Sequence, residues 1–294
     1  MTPAPERADG TQAVTAAAPG RPRPQSNGAD LVRELQRLGL RPGNVVMVHA
    51  SLRALGSVDG GPEAVAVALR RSVGEAGTII AYGSWDRSPY EETLNGAVLD
   101  PAMREAWPAF DPATAATFPG FGHLNEHLRR LPGARRSAHP DASMIVVGAQ
   151  AVELVAPHAL GSAFGPGSPL ERFVRARGRV LLLGAPLDAV TVLHYAEAVA
   201  SIPRKRRVTY EMPVLEDGRK VWRRAEELDS NGILDAFAHE GEMDAVETIA
   251  RLYVSEGRAV TGKVGGACCH LFEAGDIVDY GVRWLERMFG DPPP

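Results

Sequence analysis

The sequence has little of what marks secreted, membrane-spanning or metal-binding chains. Its two cysteines among 294 residues, Cys268 and Cys269, are adjacent, which is a poor geometry for a mutual disulfide and not the spacing of a metal site. No apolar run approaches the length of a membrane span, and residues 1–29, rich in Ala, Pro, Gly and charge, lack the apolar core of a signal peptide. We therefore expect a disordered tail over residues 1–29 and a cytoplasmic protein without a membrane partner.

Signatures of several enzyme classes are missing as well. The sequence contains no Gly-x-Ser-x-Gly elbow, no Walker A loop and no Gly-x-Gly-x-x-Gly after a strand, which argues against a serine hydrolase, an ATP-dependent kinase and a dinucleotide-dependent oxidoreductase. The net charge is -4 and no basic stripe with interleaved aromatic residues occurs, so we expect no nucleic-acid partner. With 45% hydrophobic residues, the chain can still bury a sizeable core.

The stretch around which the chain is organised begins with an apolar run at residues 181–183. A Gly-Ala-Pro segment interrupts that run and Asp188 stands where a helix N-cap would be, so a buried strand is predicted to turn into a helix here. On that helix His194 and Glu197 are three residues apart and share a face, and the same row extends back to Asp188. A histidine with carboxylates beside it at the end of a strand suits proton transfer. A packed or solvated helical histidine is the alternative.

Strands and helices alternate along the rest of the chain. The patterns predict helices at 31–39, begun by Asp30, and at 63–73, 124–131, 149–155, 169–176, 244–256 and 274–289, and strands at 44–51, 77–85, 144–148 and 261–272. The nearly continuous apolar run at 44–51 is typical of a strand covered on both faces. Alternation around Asp217-Gly218 predicts an antiparallel hairpin at 208–222. The last helix is expected to dock on the sheet through Ile277, Gly281, Trp284, Leu285 and Met288.

Three loops carry residue types that suit ligands. The glycine-rich turn after residue 51 leads into a helix and leaves backbone N–H groups for a phosphate, or it is an ordinary strand-to-helix connection. The long loop 86–122 contains carboxylates and aromatic residues that suit a polycationic sugar, or that are simply solvated. Segment 135–143 could hold phosphates through Arg136 and Ser137, or it carries incidental surface charge.

Two short motifs point to other chemistry. Residues 71–76 match the pyrophosphate loop of the widespread acetyltransferases, but they end a helix and lead into a strand, the reverse of the order which that loop needs, so we interpret the match as chance. His123-Leu124-Asn125-Glu126-His127 matches a pattern in which two histidines bind zinc and the glutamate acts as a base. With Glu153 or Glu197 as a third ligand, this motif would make a zinc-dependent hydrolase the alternative enzyme. A noncatalytic sugar-binding protein is the third alternative.

Seven blocks of sequence, in the same order along the chain, resemble the antibiotic N-acetyltransferase family. The blocks are VHASL (48–52), SWDRSPYE (84–91), FDPAT (110–114), RSAHPDAS (136–143), LGAPLD (183–188), LHYAE (193–197) and DSNGILD (229–235). The chain is thus similar to aminoglycoside 3-N-acetyltransferases from about residue 30 to 290, while the tail before residue 30 has no match. The resemblance implies an α/β fold with a mixed central sheet flanked by helices and a C-terminal antiparallel hairpin region, in a single catalytic domain over residues 30–294.

The resemblance also implies an activity. An acetyl group would pass from the co-substrate acetyl-CoA to the 3-amino group of a 2-deoxystreptamine aminoglycoside, an antibiotic-resistance activity that needs no metal. The partner is then a small molecule, and we expect a monomer or a homodimer.

Chemistry then suggests roles for individual residues. An amine bound as its ammonium must lose a proton before it attacks a thioester, so we expect His194 to act as general base, with Glu197 or Asp188 orienting the ring. Ser51 or Ser137 would face the charge that develops on the thioester oxygen. The residues expected to contact the coenzyme are Ser51, Leu52, Arg53, Val58, Arg136, Ser137, His139 and Ser143. The residues expected to contact the cationic rings are Asp86, Tyr90, Glu91, Asp188 and Asp229.

Overall fold

The secondary structure is described for residues 26–237 and 244–291 of this computed structural model. The strands in these residues are β1 Val45–Ala50, β2 Thr78–Tyr82, β3 Arg135–Arg136, β4 Met144–Gly148, β5 Arg179–Leu183, β6 Arg207–Glu216, β7 Arg219–Leu228, β8 Val260–Val264 and β9 Ala267–Glu273. The α-helices are α1 Gly28–Leu38, α2 Leu52–Leu55, α3 Gly61–Val73, α4 Tyr90–Thr93, α5 Pro101–Ala106, α6 Leu124–Arg129, α7 Ala151–Val155, α8 Pro169–Arg175, α9 Leu193–Val199, α10 Ala245–Ser255 and α11 Ala274–Phe289. Short 3-10 turns lie at Leu94–Gly96, Pro119–Phe121, Leu187–Ala189 and Asp235–Phe237.

Seven strands form one mixed sheet in the order β3-β4-β2-β1-β5-β9-β8. The central strand β1 runs parallel to β2 on one side and to β5 on the other. The pairs farther out are antiparallel. The predicted mixed central sheet flanked by helices is therefore confirmed, and the carboxyl ends of its three parallel strands lie together at one edge.

Both faces of the sheet are covered, as the apolar run in β1 predicts. Val45 and Met47 pack into a cluster with side chains of α8, α9, α10 and α11, whereas Val46 and Val48 pack into a second cluster with side chains of α1, α3 and α6. Successive side chains of a strand point to opposite faces, so a strand between two helical layers needs apolar residues at every position.

Strands β6 and β7 form a separate two-stranded antiparallel sheet. Its turn residues Asp217 and Gly218 have φ of 47° and 74°, the left-handed geometry that tight hairpins favour. The predicted hairpin is confirmed. Its buried side chains Tyr210 and Met212 pack against Tyr90 in α4, so the hairpin supports the long segment between β2 and β3.

The first helix begins earlier than predicted. Asn27, and not Asp30, caps α1, because the Asn27 side chain accepts hydrogen bonds from the first free N–H groups of the helix. Ser26 pairs with Val58 in an isolated bridge. Residues 26–29 therefore belong to the fold, while residues 1–25 of the predicted tail lie outside the described residues.

Two predictions near the C-terminus need correction. The strand expected at 261–272 is a hairpin of β8 and β9, because the chain reverses at Gly265, whose φ is 55°. Helix α11 buries Ile277, Gly281, Trp284 and Leu285 as expected, but Met288 is exposed. Within the described residues, no helix has the length and apolar character needed to span a membrane.

Candidate active site

A cavity of about 1150 Å³ opens at the edge of the sheet where β1, β2 and β5 end. Its wall includes Ser51 after β1, Ser84 after β2 and Pro186 after β5. Ligands of α/β proteins bind at the carboxyl ends of the strands, because the chain there leaves each strand in a loop that can carry polar groups. The volume exceeds the roughly 300–1000 Å³ of an ordinary small-molecule pocket, so the cavity has room for more than one ligand.

His194, in the wall of this cavity, forms a hydrogen-bonded pair with Glu197. Nδ1 of His194 lies 2.7 Å from Oε2 of Glu197, the contact that their spacing on α9 predicts. Because an ionised carboxylate only accepts hydrogen bonds, Nδ1 carries the proton and Nε2 presents a lone pair. The His194 side chain is 22% exposed and that of Glu197 8%.

Opposing effects set the basicity of His194. Burial acts to lower the pKa of His194, but the hydrogen bond to Glu197 and the charges of Glu197 and Asp244 raise that pKa above its ordinary value. The imidazole is therefore a stronger base than a solvated histidine.

Asp188 does not orient the ring, contrary to the second option that the sequence offers. Leu187–Ala189 form a 3-10 turn separate from α9, so the helical row from Asp188 to His194 is broken. In the described part of the chain, the imidazole hydrogen-bonds to Glu197 alone. Asp188 lines the cavity instead, where burial, followed by the charge of Asp244, raises the pKa of its carboxyl group.

Two further side chains lie beside the imidazole. The ring of Phe164 stacks on that of His194 with the centroids 5.0 Å apart and the planes at 25°. His49, at the end of β1, lines the cavity, and its buried Nε2 has no hydrogen-bond partner among the residues described. Burial, followed by the charge of His194, lowers the pKa of His49 to about 4, so His49 is neutral near pH 7.

Among the charged side chains of the cavity wall, most are carboxylates. Those that line it are Asp86, Glu91, Glu92, Asp141, Asp188 and Asp244. Arg53 is the one arginine or lysine in the lining over the described ranges. Tyr90 adds a ring that packs against Tyr210 at 5.1 Å. A cleft lined by charges of one sign attracts ligands of the other sign, so this wall suits a polycation, and four of the predicted acceptor residues, Asp86, Tyr90, Glu91 and Asp188, lie in it.

Asp229 is the predicted acceptor residue that the structure places elsewhere. Its buried carboxylate pairs with Arg206 at 3.2 Å and accepts the backbone N–H of Asn231. It lines a smaller cavity of about 290 Å³, which shares His194 and Phe164 with the larger one. Asp229 therefore holds its loop in place, and the residues after it in that loop line the large cavity.

Known proteins share this architecture. A family model described as aminoglycoside 3-N-acetyltransferase matches residues 47–286. The chain belongs to this family. Aminoglycoside N(3)-acetyltransferase III of Serratia marcescens is 62% identical over 263 residues, which cover 89% of this chain and 98% of that protein. The family and acyltransferase class predicted from the sequence are confirmed.

Solved structures of aminoglycoside acetyltransferases superpose closely on this fold. The structure of AAC-VIa bound to sisomicin has a TM-score of 0.89 and 50% identity, and the match covers 91% of this chain and 100% of that chain. The binary structure of AAC-IIIb with CoASH has a TM-score of 0.86 and 38% identity, and the match covers 92% of this chain and 100% of that chain.

The segment after β1, in which the sequence predicts contacts to the coenzyme, contributes to the cavity wall. Ser51, Leu52 and Arg53 all line the large cavity. The Ser51 side chain also caps α2 by accepting the N–H of Ala54 at 3.3 Å. Val58, the fourth residue predicted in this segment, is partly buried against the cluster that includes α1 and α3 and is not among the described residues that line the cavity.

Arg136 and Ser143, expected to contact the coenzyme, are buried within the protein. The Arg136 guanidinium donates to the backbone carbonyls of Gly83 and Ala115 and, at 2.9 Å, to Oγ of Ser143. Ser143 in turn donates to the carbonyl of Gly83. These donors are all used to fix the chain that leaves β2, and neither side chain belongs to the cavity lining of the described residues.

Ser137 and His139, the other two residues of that prediction, are also buried. Oγ of Ser137 accepts the N–H of Met144 and lies 2.9 Å from Nδ1 of His158. Nδ1 of His139 accepts the N–H of Ala142. Their polar atoms brace the turn before β4, so Ser137 is not placed to face a thioester oxygen in the large cavity.

The residues of the His-x-x-Glu-His motif do not converge on one metal site in the described residues. His123 lines the large cavity, but Glu126 is held in an ion pair by Arg129 at 2.6 Å. Although burial acts to raise it, the hydrogen bond and charge of Arg129 lower the pKa of Glu126 to about 2, which makes its carboxylate a poor base. The described residues contain no cluster of three His, Cys, Asp or Glu placed to bind a metal. This arrangement does not favour a zinc hydrolase.

Sequence patterns missed the site positions of Asp141, Asp244 and Phe164. Because β4 runs antiparallel to β2, residues just before β4 lie at the same edge as residues just after β2, and this rule would have placed Asp141 in the wall. Asp244 caps α10, and the sequence marks it only as the start of a helix. Phe164 lies between α7 and α8, in a stretch without periodicity, so no local signal points to it.

Proposed function

We propose that this enzyme transfers the acetyl group of acetyl-CoA to the 3-amino group of 2-deoxystreptamine aminoglycosides and thereby confers resistance to them. The name of the Serratia marcescens relative supports the reaction. The structures of AAC-IIIb with CoASH and of AAC-VIa bound to sisomicin support the donor and the acceptor class. The cytoplasm, where acetyl-CoA is available, is the proposed place of action.

The observation that carries the proposal is that His194, hydrogen-bonded to Glu197, lies in the wall of an acid-lined cavity. The acid wall suits an acceptor with several ammonium groups, since each can form charge-assisted hydrogen bonds with a carboxylate. The same ammonium groups cannot act as nucleophiles, because they have no lone pair. A base in the wall that binds them is therefore what the reaction needs.

His194 performs the proton transfer in this proposal. Nε2 accepts a proton from the 3-ammonium group, and the imidazolium that forms is stabilised by the carboxylate of Glu197 at Nδ1. The donor supplies the acetyl group as a thioester. The freed nitrogen attacks the carbonyl carbon directly, and the C–N bond forms as the C–S bond breaks. The imidazolium of His194 protonates the leaving thiolate, and the regenerated imidazole takes the second proton from the nitrogen and passes it to solvent, so that each transfer releases one proton. No covalent enzyme intermediate is required.

We expect the two substrates to occupy parts of the cavity that differ in charge. Ser51, Leu52 and Arg53 would face the donor, because Arg53 supplies positive charge in a lining that is otherwise acidic over the described residues. Asp86, Glu91 and Asp188 would face the acceptor. The Ser51 hydroxyl is the remaining predicted group for the thioester oxygen, since Ser137 is buried in another network.

Acetyl-CoA consumption with gentamicin-like and neomycin-like acceptors tests the proposal, with the acetylated nitrogen located by NMR. His194→Ala is expected to lower kcat by about 100-fold or more. His127→Ala is the matched control, because that imidazole lies beside Glu63 and is not among the cavity residues described. Near-normal turnover of His194→Ala would remove His194 from the role of base, and acceptor binding without acetyl-CoA consumption would favour a sugar-binding protein.

A further inference from the structure

Phe164 covers one face of the imidazole proposed as the base. The two rings are stacked, 5.0 Å apart at 25°, and Phe164 is only 8% exposed. Both residues line the large cavity and the small cavity behind it. The phenyl ring thus stands where it can limit both the rotation of the imidazole and the access of water to it.

We propose that Phe164 is a positioning residue for His194, and that the β6–β7 hairpin fixes it through Glu227. The inference rests on the proposed role of His194 as the base. It adds a third side chain to the pair: Glu197 sets the tautomer through Nδ1, and Phe164 sets the plane of the ring.

Ala163, the residue before Phe164, is held by buried side chains at both its N–H and its carbonyl oxygen. The N–H of Ala163 donates to Oε2 of Glu227 at 3.0 Å, and the carbonyl oxygen of Ala163 lies 2.9 Å from Nε2 of His158. Because a carbonyl only accepts, Nε2 of His158 carries the proton, and Nδ1 then accepts from the hydroxyl of Ser137. Burial lowers the pKa of His158 to about 3, so this arrangement persists at neutral pH.

Glu227 connects this anchor to the hairpin. It lies in β7 and is buried. Nδ1 of His139 accepts the N–H of Ala142, so Nε2 of the neutral ring carries the proton. This Nε2 atom lies 3.1 Å from the hydroxyl of Tyr210 in β6 and 3.5 Å from Oε2 of Glu227. Groups from β6, β7 and the turn before β4 therefore converge on the carboxylate that holds Ala163.

A stacked ring helps this reaction in two ways. It confines the imidazole to the plane in which Nδ1 meets Glu197, which lowers the cost of reaching the productive geometry. Its negative π face also favours the imidazolium that forms when the base takes a proton. The charged and titratable groups that act on His194 from the elements around it are Glu197, Asp244 and His49. Among the described residues, the ring that stacks on the imidazole is that of Phe164.

Substitution of Phe164 tests the inference by steady-state kinetics. Phe164→Leu keeps an apolar side chain but removes the π face, and kcat is expected to fall by about 5- to 10-fold with KM for both substrates nearly unchanged. Phe164→Tyr keeps the face and should restore kcat to within about twofold. The control Phe289→Leu removes a ring that packs beside Phe237 and Trp284 and that belongs to neither cavity lining in the described residues, so it should leave kcat unchanged.

Histidine NMR gives a readout that does not depend on turnover. With the His194 signal assigned from the His194→Ala spectrum, Phe164→Leu should shift the ring protons of His194 downfield, because the shielding by the phenyl ring is lost. Glu227→Ala, which leaves the N–H of Ala163 unpaired, should reduce kcat in the same direction, whereas Glu227→Gln keeps an acceptor and should not.

The outcomes separate this inference from the proposed function. Loss of turnover in His194→Ala together with wild-type kcat in Phe164→Leu would overturn the positioning role alone. A rise in KM at constant kcat would mean that Phe164 contacts the substrate and does not act through His194. Normal turnover of His194→Ala would instead refute the proposed base.

Discussion

Replacement of Glu197 by glutamine should reveal how much its charge contributes to acetyl transfer. Glu197→Gln keeps the shape and an oxygen acceptor for Nδ1 of His194 but removes the negative charge. The contact is 2.7 Å between largely buried groups, and a hydrogen bond to a charged group of this kind contributes about 1.5–3 kcal/mol. At about 1.36 kcal/mol per factor of ten, kcat should fall by about 10- to 150-fold as the imidazolium loses its partner.

The same substitution should move the pH dependence of the reaction. The Glu197 carboxylate raises the pKa of His194 against the effect of burial, and the basic form exists only above that pKa. In the wild type, kcat/KM should therefore rise with pH through a value above that of a solvated histidine. In Glu197→Gln the rise of kcat/KM should occur at lower pH, and the maximal value of kcat/KM should fall.

Acetyl-CoA consumption measured across the neutral pH range provides the assay. Glu216→Gln is the matched control, because its carboxylate pairs with Arg223 at 2.5 Å on the exposed hairpin and touches neither cavity in the described residues. A Glu197→Gln profile that does not shift, with kcat within about twofold of the wild type, would refute the assignment of His194 and Glu197 as base and partner.

Other perturbations test the cavity wall, the discarded metal motif and the packing of α9. Asp86→Asn should raise KM for the aminoglycoside about 3- to 10-fold with little effect on KM for acetyl-CoA. Added salt should also raise KM for the aminoglycoside. If neither the substitution nor salt changed this KM, the acidic acceptor wall would be contradicted. Glu126→Gln should lower Tm but keep kcat within about twofold, and a chelator should leave activity intact, whereas inactivation by the chelator would revive the zinc hydrolase. Gly281→Ala places a Cβ 2.8 Å from Leu193 in α9, so it should reduce the free energy of unfolding by about 1–3 kcal/mol and lower kcat. Gly275→Ala in the same helix meets nothing within 4 Å and should be neutral or stabilising; equal Tm values for the two variants would refute this packing argument.

Local spacing was enough to predict the central pair of the site. His194 and Glu197 lie one turn apart on one helix, so their contact follows from helical geometry alone. The buried strands were equally accessible, because runs such as β1 are apolar at every position. The helical row from Asp188 to His194 was predicted wrongly, because the Gly-Ala-Pro segment allows many turn geometries and the hydrophobic pattern does not distinguish a continuous helix from a 3-10 turn followed by a helix.

Residue type alone could not separate ligand-binding from structural polar groups. Arg136 and Ser137 have the chemistry of a phosphate site, yet both are used to hold the chain around β2 and β4. Their role depends on contacts with carbonyls and imidazoles far along the sequence, which composition does not reveal. Phe164 was missed for the same reason, since its stacking on His194 exists only after the loop between α7 and α8 is folded against the hairpin.

The small cavity behind the active site suggests a way to inhibit the enzyme. Glu197 lines this cavity and does not belong to the lining of the large one in the residues described, while His194 belongs to both. A compound seated there could reach the carboxylate that supports the base without competing for space with either the antibiotic or the thioester. With both substrates in the large cavity, as proposed, inhibition by such a compound should persist at saturating levels of the aminoglycoside and of acetyl-CoA.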